Sequence, residues 1–358
     1  MPEQPSPPDQ PPQLTPTQAR VRAELLDIGG ARPEFDRHLA GRLRDELESK
    51  AVAALAGANA PGSPGGPPWT RDSGRPVLTV SKRNLTQVHQ CERLLLTQQA
   101  QRFTWTAATA CGAVAHKAIE LSTHVRARFP PSQLVALAIG RLIDDEQGPA
   151  GWLQTASESE QAELRSRAVD AVTKFDDSFP PIPVAWRPRV ESRLKTYLAD
   201  GRVELAGKVD LALGQARATP TGAEARTLIV DLKTGGHGPN YAADLRFYAL
   251  LETLRVGVPP FRLASFYLDS GDWVHEEVDE DLLWATVRRT TDGLERLSAL
   301  LLTGNGPTET PGPQCRWCPA NVDCETGQGW LAAEQHEAPA SGETSPPLRP
   351  FWGENNTL

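Results

Sequence analysis

The spacing of hydrophobic and polar residues divides the chain into a helical first half and a second half that holds most of the predicted strands. Helical periodicity occurs at 34–55, 82–99, 106–128, 132–145 and 159–175. Runs typical of strands follow at 189–199, 203–213, 227–234, 262–269 and 273–278. Further helices are predicted at 242–254 and 280–302. This order predicts an α/β fold with a sheet of mixed strand direction.

Proline, glycine and polar residues mark the parts of the chain outside this core. Residues 1–18 are rich in Pro and Gln, and residues 331–358 are acidic and rich in Pro and Ser, so both are predicted to be disordered tails. Residues 19–77 are predicted to form a helical extension that ends in a Gly/Pro-rich loop. The main domain is predicted to span residues 78–330.

The overall charge argues against a protein that coats nucleic acid non-specifically, because 37 basic and 45 acidic residues give a net charge of −8. Basic residues do occur near the first predicted strand and before the histidine-containing helix, Lys82 among them, and these can carry phosphates or lie on a solvated face. No apolar run is long enough for a membrane span and no secretory signal is visible, so a cytoplasmic location is expected.

Two aspartates and a lysine lie at the ends of predicted neighbouring strands. Asp210 ends the run Leu-Ala-Gly-Lys-Val-Asp, and Asp231 and Lys233 lie in Leu-Ile-Val-Asp-Leu-Lys-Thr-Gly. Asp231 and Lys233 are two residues apart in a strand, so their side chains share a face. A hairpin between the two strands would set Asp210 beside them. The pattern predicts two carboxylates and an ammonium group at one spot.

Two converging carboxylates repel each other unless a cation lies between them, and Mg²⁺ or Mn²⁺ is the candidate that prefers oxygen ligands. Such an ion lowers the pKa of bound water, and Lys233 can orient that water or stabilise developing negative charge. These are the parts of metal-assisted phosphodiester hydrolysis. An Asp-x-Lys pair at a strand end is also common without any function, so this motif alone does not establish a catalytic site.

Three cysteines form a short loop near the C-terminus. Cys315, Cys318 and Cys324 have the spacing Cys-x2-Cys-x5-Cys. Three thiols leave one position open in a four-ligand metal site, which a distant cysteine must fill, and Cys91 and Cys111 are the candidates. Zinc and an iron–sulfur cluster fit this spacing equally well.

Taken together, the motifs resemble the RecB-like branch of the PD-(D/E)xK nuclease superfamily over residues 78–326. Gly-Lys-Val-Asp, ending at Asp210, is similar to the family's Gly-x-x-Asp strand, and Ile-Val-Asp-Leu-Lys-Thr-Gly is similar to its Asp-x-Lys-Thr-Gly strand. Gly112-x-x-x-His116 resembles the family's histidine motif. Asp244-Leu-Arg-Phe-Tyr248 falls where the family has Gln-x-x-x-Tyr, and residues 78–93 resemble its cysteine-containing first helix.

The resemblance implies a restriction-endonuclease-like mixed β-sheet core flanked by helices, with a helical N-terminal half and a C-terminal iron–sulfur loop. It implies that Asp210, Asp231, Lys233 and His116 are catalytic. Mg²⁺ or Mn²⁺ would be held by His116, the two aspartates and the backbone carbonyl of Leu232.

The resemblance also places nucleic-acid contacts at Tyr248 and Arg246 on the helix after the Asp-x-Lys strand. Asp244 departs from the family pattern, because a carboxylate repels the phosphate that a glutamine amide can bind. Glu191 stands where the family has an acidic residue on the preceding strand, and an exposed strand carboxylate explains it equally well.

Iron–sulfur members of the family bind a 4Fe-4S cluster with one upstream and three C-terminal cysteines. The resemblance therefore assigns Cys91, Cys315, Cys318 and Cys324 to a cluster and leaves Cys111 as a buried thiol. Zinc remains the alternative metal for the same four thiols.

We therefore expect a metal-dependent deoxyribonuclease that acts on single-stranded ends as an exonuclease, in repair, recombination or CRISPR adaptation. The chain has no Gly-x-x-x-x-Gly-Lys-Ser/Thr motif, so any unwinding would depend on a helicase or another recombination or CRISPR partner. Two alternatives remain. One is a catalytically weak DNA-end-binding module with the same cysteine cluster, and the other is a zinc-stabilised scaffold unrelated to nucleases.

Overall fold

A mixed six-stranded β-sheet flanked by helices forms the centre of the protein in the computed structural model, which describes residues 13–27, 29–58, 76–124, 129–238 and 240–337. This architecture confirms the predicted α/β class and the mixed direction of the strands. A second, three-stranded sheet lies outside this core.

The strands of the main sheet are β2 (Leu78–Ser81), β3 (Arg189–Leu198), β4 (Val203–Leu213), β7 (Leu228–Lys233), β8 (Arg262–Tyr267) and β9 (Trp273–Glu277), and those of the small sheet are β1 (Glu34–Asp36), β5 (Arg217–Ala218) and β6 (Gly222–Glu224). The central strand of the main sheet is β4, which pairs with β3 antiparallel, with β2 parallel and with β7 antiparallel. Beyond β7 the sheet continues with β8, parallel to β7, and then with antiparallel β9.

Helices account for most of the rest of the described chain. They are α1 (Pro16–Val21), α2 (Leu39–Gly57), α3 (Lys82–Gln90), α4 (Glu92–Ala100), α5 (Ala107–His124), α6 (Pro131–Asp144), α7 (Ala150–Thr155), α8 (Glu158–Ser178), α9 (Tyr241–Val256), α10 (Glu280–Leu302) and α11 (Glu325–Glu337). Helices α5, α6 and α8 pack on one another, and α9 packs on β3, β4 and β8. Within the described residues, none of these helices combines the length and the apolar character needed to cross a membrane.

One edge of β4 is shared by two strands that do not reach each other. β2 pairs with residues 203–206 of β4, and β7 pairs with residues 211–213. Residues 207–210 therefore have no strand partner on this edge among the described strands. β2 runs parallel to β4 and β7 runs antiparallel to it, so the C-terminal ends of β2 and β7 approach the same gap from opposite directions.

Strand β7 is buried along its whole length, because it lies between β4 and β8 and is covered by helices. Its aliphatic residues explain this burial, since a strand covered on both faces needs a near-continuous apolar run. Asp231 and Lys233 are carried into the interior with it, at 2% and 1% exposure. A charged pair at this depth needs partners, which the surrounding elements supply.

The predicted strands of the main sheet and the helices α9 and α10 occur within two residues of their predicted bounds. The single helix predicted at 82–99 is instead two helices, α3 and α4, because Cys91 between them has an extended backbone (φ −168°, ψ 122°). The helix predicted from residue 34 begins at Leu39, because Glu34–Asp36 form β1 and pair with β6.

The predictions for the two tails also need correction. Residues 13–18 of the predicted tail 1–18 are described, and α1 begins at Pro16 with a capping box between Thr15 and Gln18. The Gln18 side chain also donates to the carbonyl of Asp176 in α8, a tertiary contact that fixes this segment. In the predicted tail 331–358, residues 331–337 continue α11. Residues 1–12 and 338–358, and the Gly/Pro-rich stretch 59–75, lie outside the described residues.

Candidate active site and cysteine cluster

Three carboxylates lie in one row across neighbouring strands. The register of β3 and β4 sets Glu191 opposite Asp210. The ladder between β4 and β7 ends at Leu211 and Val230, and one further step in the same register brings Asp210 opposite Asp231. Residues directly opposite each other in neighbouring strands have Cβ atoms about 4.5–5.5 Å apart. The sheet register itself therefore gathers the three acids.

The side chain of Asp210 lies at the gap between β2 and β7. Its Oδ2 accepts a hydrogen bond of 2.8 Å from the backbone N–H of Leu232, at the point where the ladder between β4 and β7 has ended. This bond fixes the Asp210 carboxylate beside the strand that carries Asp231 and Lys233. The structure thus brings the three residues together, as the Asp-x-Lys pattern and its neighbouring strand predict.

His116 of α5 forms a compact group with Glu191 and Asp210. Its Nδ1 is 3.4 Å from Glu191 Oε1 and 3.5 Å from Asp210 Oδ1, and one potential ligand atom of each residue lies within 4.8 Å of the others. His116 is buried, and Nδ1 has no partner with hydrogen-bond geometry. Two carboxylate oxygens and an unpartnered imidazole nitrogen are potential metal ligands, so these residues fit a divalent cation.

The charges of this group are strongly coupled. Burial alone would lower the pKa of His116, but the carboxylates of Asp210 and Glu191 outweigh burial and raise the pKa well above its ordinary value. Burial would raise the pKa of Glu191, but contacts with His116 and Lys208 lower it to about 2. Burial likewise opposes ionisation of Asp210, and the charge of His116 lowers its pKa. Both acids are ionised at neutral pH, and without a metal ion the imidazolium neutralises part of their charge.

Asp231 and Lys233 form the second half of the site. Lys233 Nζ lies 2.5 Å from Asp231 Oδ2, as expected for residues two apart on one face of a strand. Among the described residues, the group whose potential ligand atoms lie within 4.8 Å of one another consists of His116, Glu191 and Asp210. The Asp231 carboxylate does not belong to this group. Metal binding by Asp231 and by the Leu232 carbonyl remains a prediction.

Lys82 connects the two halves of the site. It is the first residue of α3, directly after β2 ends at the gap, and Ser81 caps the helix. Its Nζ is 3.8 Å from Asp231 Oδ1, and its charge also contributes to lowering the pKa of Asp210. The sequence identifies Lys82 as one basic residue among several, since nothing in the local pattern reveals that β2 ends beside Asp210.

Glu191 adopts a backbone conformation that is rare for its residue type. Its φ of 50° lies in the left-handed region, although the register of β3 with β4 is the same on both sides of it. Such a conformation costs of order 1–3 kcal/mol and occurs most often at functional sites. Strand periodicity gives no sign of it. The structure brings the Glu191 carboxylate to within 3.4 Å of His116 Nδ1, and a role for it in the site remains a prediction.

Helix α9 carries the two predicted nucleic-acid residues, of which Tyr248 is buried and Arg246 is exposed. Tyr248 is 1% exposed and its ring centre lies 5.2 Å from Lys82 Nζ, so the ring packs inside the protein beside the site, and its nucleic-acid contact remains a prediction. Asp244 accepts a 3.0 Å hydrogen bond from the Thr86 hydroxyl, and burial raises the pKa of its carboxyl. Arg246 is exposed and pairs with Glu276 at 2.7 Å, and its predicted nucleic-acid contact remains a prediction.

Four cysteines from distant parts of the chain converge on one small cavity. Its lining includes Cys91, between α3 and α4, together with Cys315, Cys318 and Cys324. The backbone N–H of Gly327 lies 3.3 Å from Cys324 Sγ and donates to it. Cys111 does not line the cavity, since it lies within α5, where burial raises its pKa to about 11. The structure therefore brings Cys91, not Cys111, to the C-terminal loop.

Polar contacts around the cavity hold the C-terminal segment against α4. The Glu92 backbone N–H donates to the Thr308 carbonyl at 3.2 Å, and the Thr308 N–H donates to the Glu92 carboxylate at 2.8 Å. Arg93 pairs with Glu309 and donates to the Asp323 carbonyl. These bonds keep Cys91 close to the loop independently of any metal.

The residues of both sites lie within a region that matches a known family. The family model described as the PD-(D/E)XK nuclease superfamily matches residues 79–325, more than half of the chain. A search of curated proteins gave no match. A crystal structure described as "Putative exonuclease" from Eubacterium rectale is similar at 10% identity and a TM-score of 0.43, covering 71% of this chain and 90% of that chain. The structure of the protein SSO0001 is similar at 13% identity and a TM-score of 0.26, covering 60% of this chain and 95% of that chain.

Proposed function

Because the chain belongs to the PD-(D/E)XK nuclease superfamily, we propose that it is an exonuclease that hydrolyses phosphodiester bonds at single-stranded DNA ends with Mg²⁺ or Mn²⁺. Nucleases of this superfamily use divalent metal ions and act on DNA. One observation carries the proposal: three carboxylates, a histidine and two lysines converge at the gap between β2 and β7 beside β4.

His116, Glu191 and Asp210 would hold the metal ion, with Asp231 and the Leu232 carbonyl as further candidate ligands from β7. When bound, the ion would lower the pKa of a water molecule and neutralise charge on a phosphoryl oxygen. The strand register fixes the two acids of β3 and β4 before any ligand arrives, so little reorganisation is needed on binding.

The two lysines supply positive charge on the Asp231 side of the site. Lys233 lies against Asp231 and is positioned to orient the attacking water or to stabilise charge developing on the phosphate. Lys82, near Asp231 and Asp210, is positioned to attract the substrate phosphate that the acids would otherwise repel. Lys233 is buried and only 12% of the Lys82 side chain is exposed, so their interactions are stronger than they would be in water.

The test is degradation of labelled single-stranded DNA with Mn²⁺. We expect Asp231→Asn and Lys233→Ala to lower the rate at least about 100-fold, as is typical when a charge-stabilising group is removed from an active site. Asp281→Asn, on the exposed first turn of α10, is the matched control and should degrade DNA like the parent. Equal rates for all four proteins would remove the assigned site.

The preference for ends and for single strands rests on the resemblance to RecB-like members and needs its own test. Linear single-stranded, circular single-stranded and linear duplex DNA of the same sequence should be compared. An exonuclease for single strands degrades the first and spares the other two. Cleavage of the circle at the same rate would instead indicate an endonuclease.

We further propose that Cys91, Cys315, Cys318 and Cys324 hold a 4Fe-4S cluster. Four sulfurs around one zinc ion lie roughly 3.8 Å apart, given Zn–S distances of about 2.3 Å and tetrahedral geometry. Among the described residues no three cysteine sulfurs lie within 4.8 Å of one another, a wider spacing that suits the larger cluster.

Zinc is the second candidate, because the free space among the thiols is about 10 Å³, enough for a single water-sized sphere. Iron, sulfide and zinc contents of protein purified without oxygen distinguish the two. About four iron atoms per chain support the cluster, and one zinc atom without iron overturns it.

A further inference from the structure

A set of aromatic rings leads from Lys233 to the protein surface. Lys233 Nζ lies 4.0 Å from the centre of the Tyr241 ring, at the start of α9. Tyr267 of β8 stands beside Lys233 in the register of β7 and β8, and its ring centre is 6.4 Å from that of Tyr241. Register partners in neighbouring strands share a face of the sheet, so Tyr267 lies on the face of Asp231 and Lys233.

His237 forms the outer end of this set. Its ring stacks on Tyr267 with the centres 3.9 Å apart and the planes at 27°. Tyr267 is buried at 4% exposure, whereas His237 is exposed. One face of the imidazole is therefore covered by a fixed ring, while the side chain as a whole stays accessible to solvent.

The loop that carries His237 is open to solvent. A Cβ atom built at Gly235 or Gly236, between Lys233 and His237, would have no atom within 4 Å apart from those of the adjacent residues. The backbone between Lys233 and His237 is therefore not crowded by other described parts of the protein. The loop directly follows the strand of the Asp-x-Lys pair, so a flat group against the imidazole would lie next to the proposed reaction centre.

We propose that His237, supported by Tyr267, is a nucleobase subsite that stacks on an unpaired base next to the scissile phosphate. This inference rests on the proposed nuclease function and deepens it by naming the residues that bind an unpaired base. A base next to a phosphate at Lys233 would lie against the aromatic set, which begins with the Tyr241 ring 4.0 Å from Lys233 Nζ. Stacking on a base face does not depend on its sequence.

The subsite discriminates against duplex DNA for a physical reason. In a duplex both faces of an internal base are covered by neighbouring bases, so His237 could stack on a base only after that base had been unstacked, at a cost of a few kcal/mol. An unpaired base offers its face at much lower cost. The subsite thus favours single strands without any contact that reads hydrogen-bonding edges.

The test compares binding of two labelled oligonucleotides by fluorescence anisotropy with EDTA present, so that no cleavage occurs. One is a 12-nucleotide oligothymidylate, and the other has the same length and phosphates but abasic sites at about four positions at each end. We expect the parent to bind the oligothymidylate more tightly. His237→Ala should weaken that binding by at least about fivefold and leave binding of the abasic DNA unchanged.

Two variants serve as controls. His237→Phe keeps a flat ring and should retain most of the preference for intact bases. His275→Ala removes another exposed histidine. His275 pairs with Ala264 of β8, whereas Asp231 pairs with the next residue, Ser265, which points to the opposite face of the sheet. His275 therefore lies on the other face from Asp231. The His275→Ala variant should bind both oligonucleotides like the parent.

A different result would overturn the subsite. Two outcomes would show that His237 acts through its charge and not through stacking. In one, His237→Ala weakens binding of both oligonucleotides equally. In the other, His237→Phe binds the oligothymidylate as weakly as His237→Ala does. Failure of the proposed nuclease function would be seen separately, because the parent would then not degrade DNA with Mn²⁺. The comparison of oligothymidylate with abasic DNA would still decide whether the base is bound.

Discussion

At the scale of single residues, His116 is subject to two opposing electrostatic demands. Its imidazole lies between Glu191 and Asp210, which favour its protonated form, yet a metal ion requires the neutral ring as ligand. Metal and proton therefore compete for the same nitrogen. The acids do not change charge near neutral pH, because the pKa of Glu191 is about 2 and that of Asp210 is also lowered.

This competition predicts that Mn²⁺ binding strengthens as pH rises. While the pH is below the raised pKa of His116, each pH unit should increase affinity by up to about tenfold, because one proton leaves for each ion bound. Titration calorimetry between about pH 6 and pH 9 measures this slope. His116→Gln should bind Mn²⁺ more weakly and with a flat pH profile. An unchanged slope in that variant would show that His116 is not a ligand.

Glu191 gives a second prediction at this scale. Replacing it by Gln removes one charged oxygen donor of the group of three, so Mn²⁺ affinity should fall at least about tenfold. Glu120→Gln is the matched control, since Glu120 lies on the same helix as His116 but pairs with Lys117 at 3.0 Å. Titration calorimetry of both variants at one pH measures their Mn²⁺ affinities. Equal affinities would leave Glu191 as a partner of Lys208 only.

At the scale of elements, the contact between β4 and α9 explains the glycine of the Gly-x-x-Asp motif. A Cβ atom at Gly207 would lie 2.8 Å from the ring of Tyr248 and 2.9 Å from Leu251. Both side chains are buried, so the helix would have to shift. The same helix carries Asp244 and begins at Tyr241, and its close approach therefore helps to position one side of the candidate site.

We predict that Gly207→Ala destabilises the protein by about 1–3 kcal/mol, the usual cost of overpacking in a core. Gly140→Ala is the control. Gly140 lies inside α6, where an added Cβ meets nothing within 4 Å, so alanine should stabilise by about 0.5–1 kcal/mol. Urea unfolding of the two variants measures whether the free energy of unfolding falls for Gly207→Ala and rises for Gly140→Ala. A neutral effect at Gly207 would mean that α9 adjusts at no cost.

At the scale of the whole molecule, the cysteine cavity joins the beginning and the end of the matched region. Cys91 precedes α4, whereas the other three cysteines follow α10. A metal centre bound there would close a loop that contains five of the six strands of the main sheet, since only β2 precedes Cys91. Closing so long a loop restricts the unfolded chain, and binding free energy becomes folding free energy.

The matched cysteine variants test this role. Cys324→Ala should lose the bound metal, lose any absorption near 400 nm expected of an iron–sulfur centre, and melt about 5–10 °C lower, which corresponds to a loss of about 2–3 kcal/mol. Cys111→Ala removes a buried thiol outside the cavity and should keep the metal and the absorption. Loss of metal from both variants, or from neither, would contradict the assignment.

The periodicity of the sequence determines the central strands and the long helices, because burial on one or both faces imposes a pattern on each element alone. The pairing of Asp231 with Lys233 also follows from local geometry, since residues two apart in a strand share a face. The cysteine spacing likewise indicates a metal loop and leaves its fourth ligand open.

The tertiary structure decides what depends on strand register and on contacts between distant segments. Register sets Glu191 opposite Asp210, and the placement of β2 and β7 on the same edge of β4 brings Lys82 to Asp231. Packing also buries Tyr248, and the contact of Glu92 with Thr308 brings Cys91 to the C-terminal loop. None of these is encoded by a local pattern, because each depends on which distant segment occupies the space beside a residue.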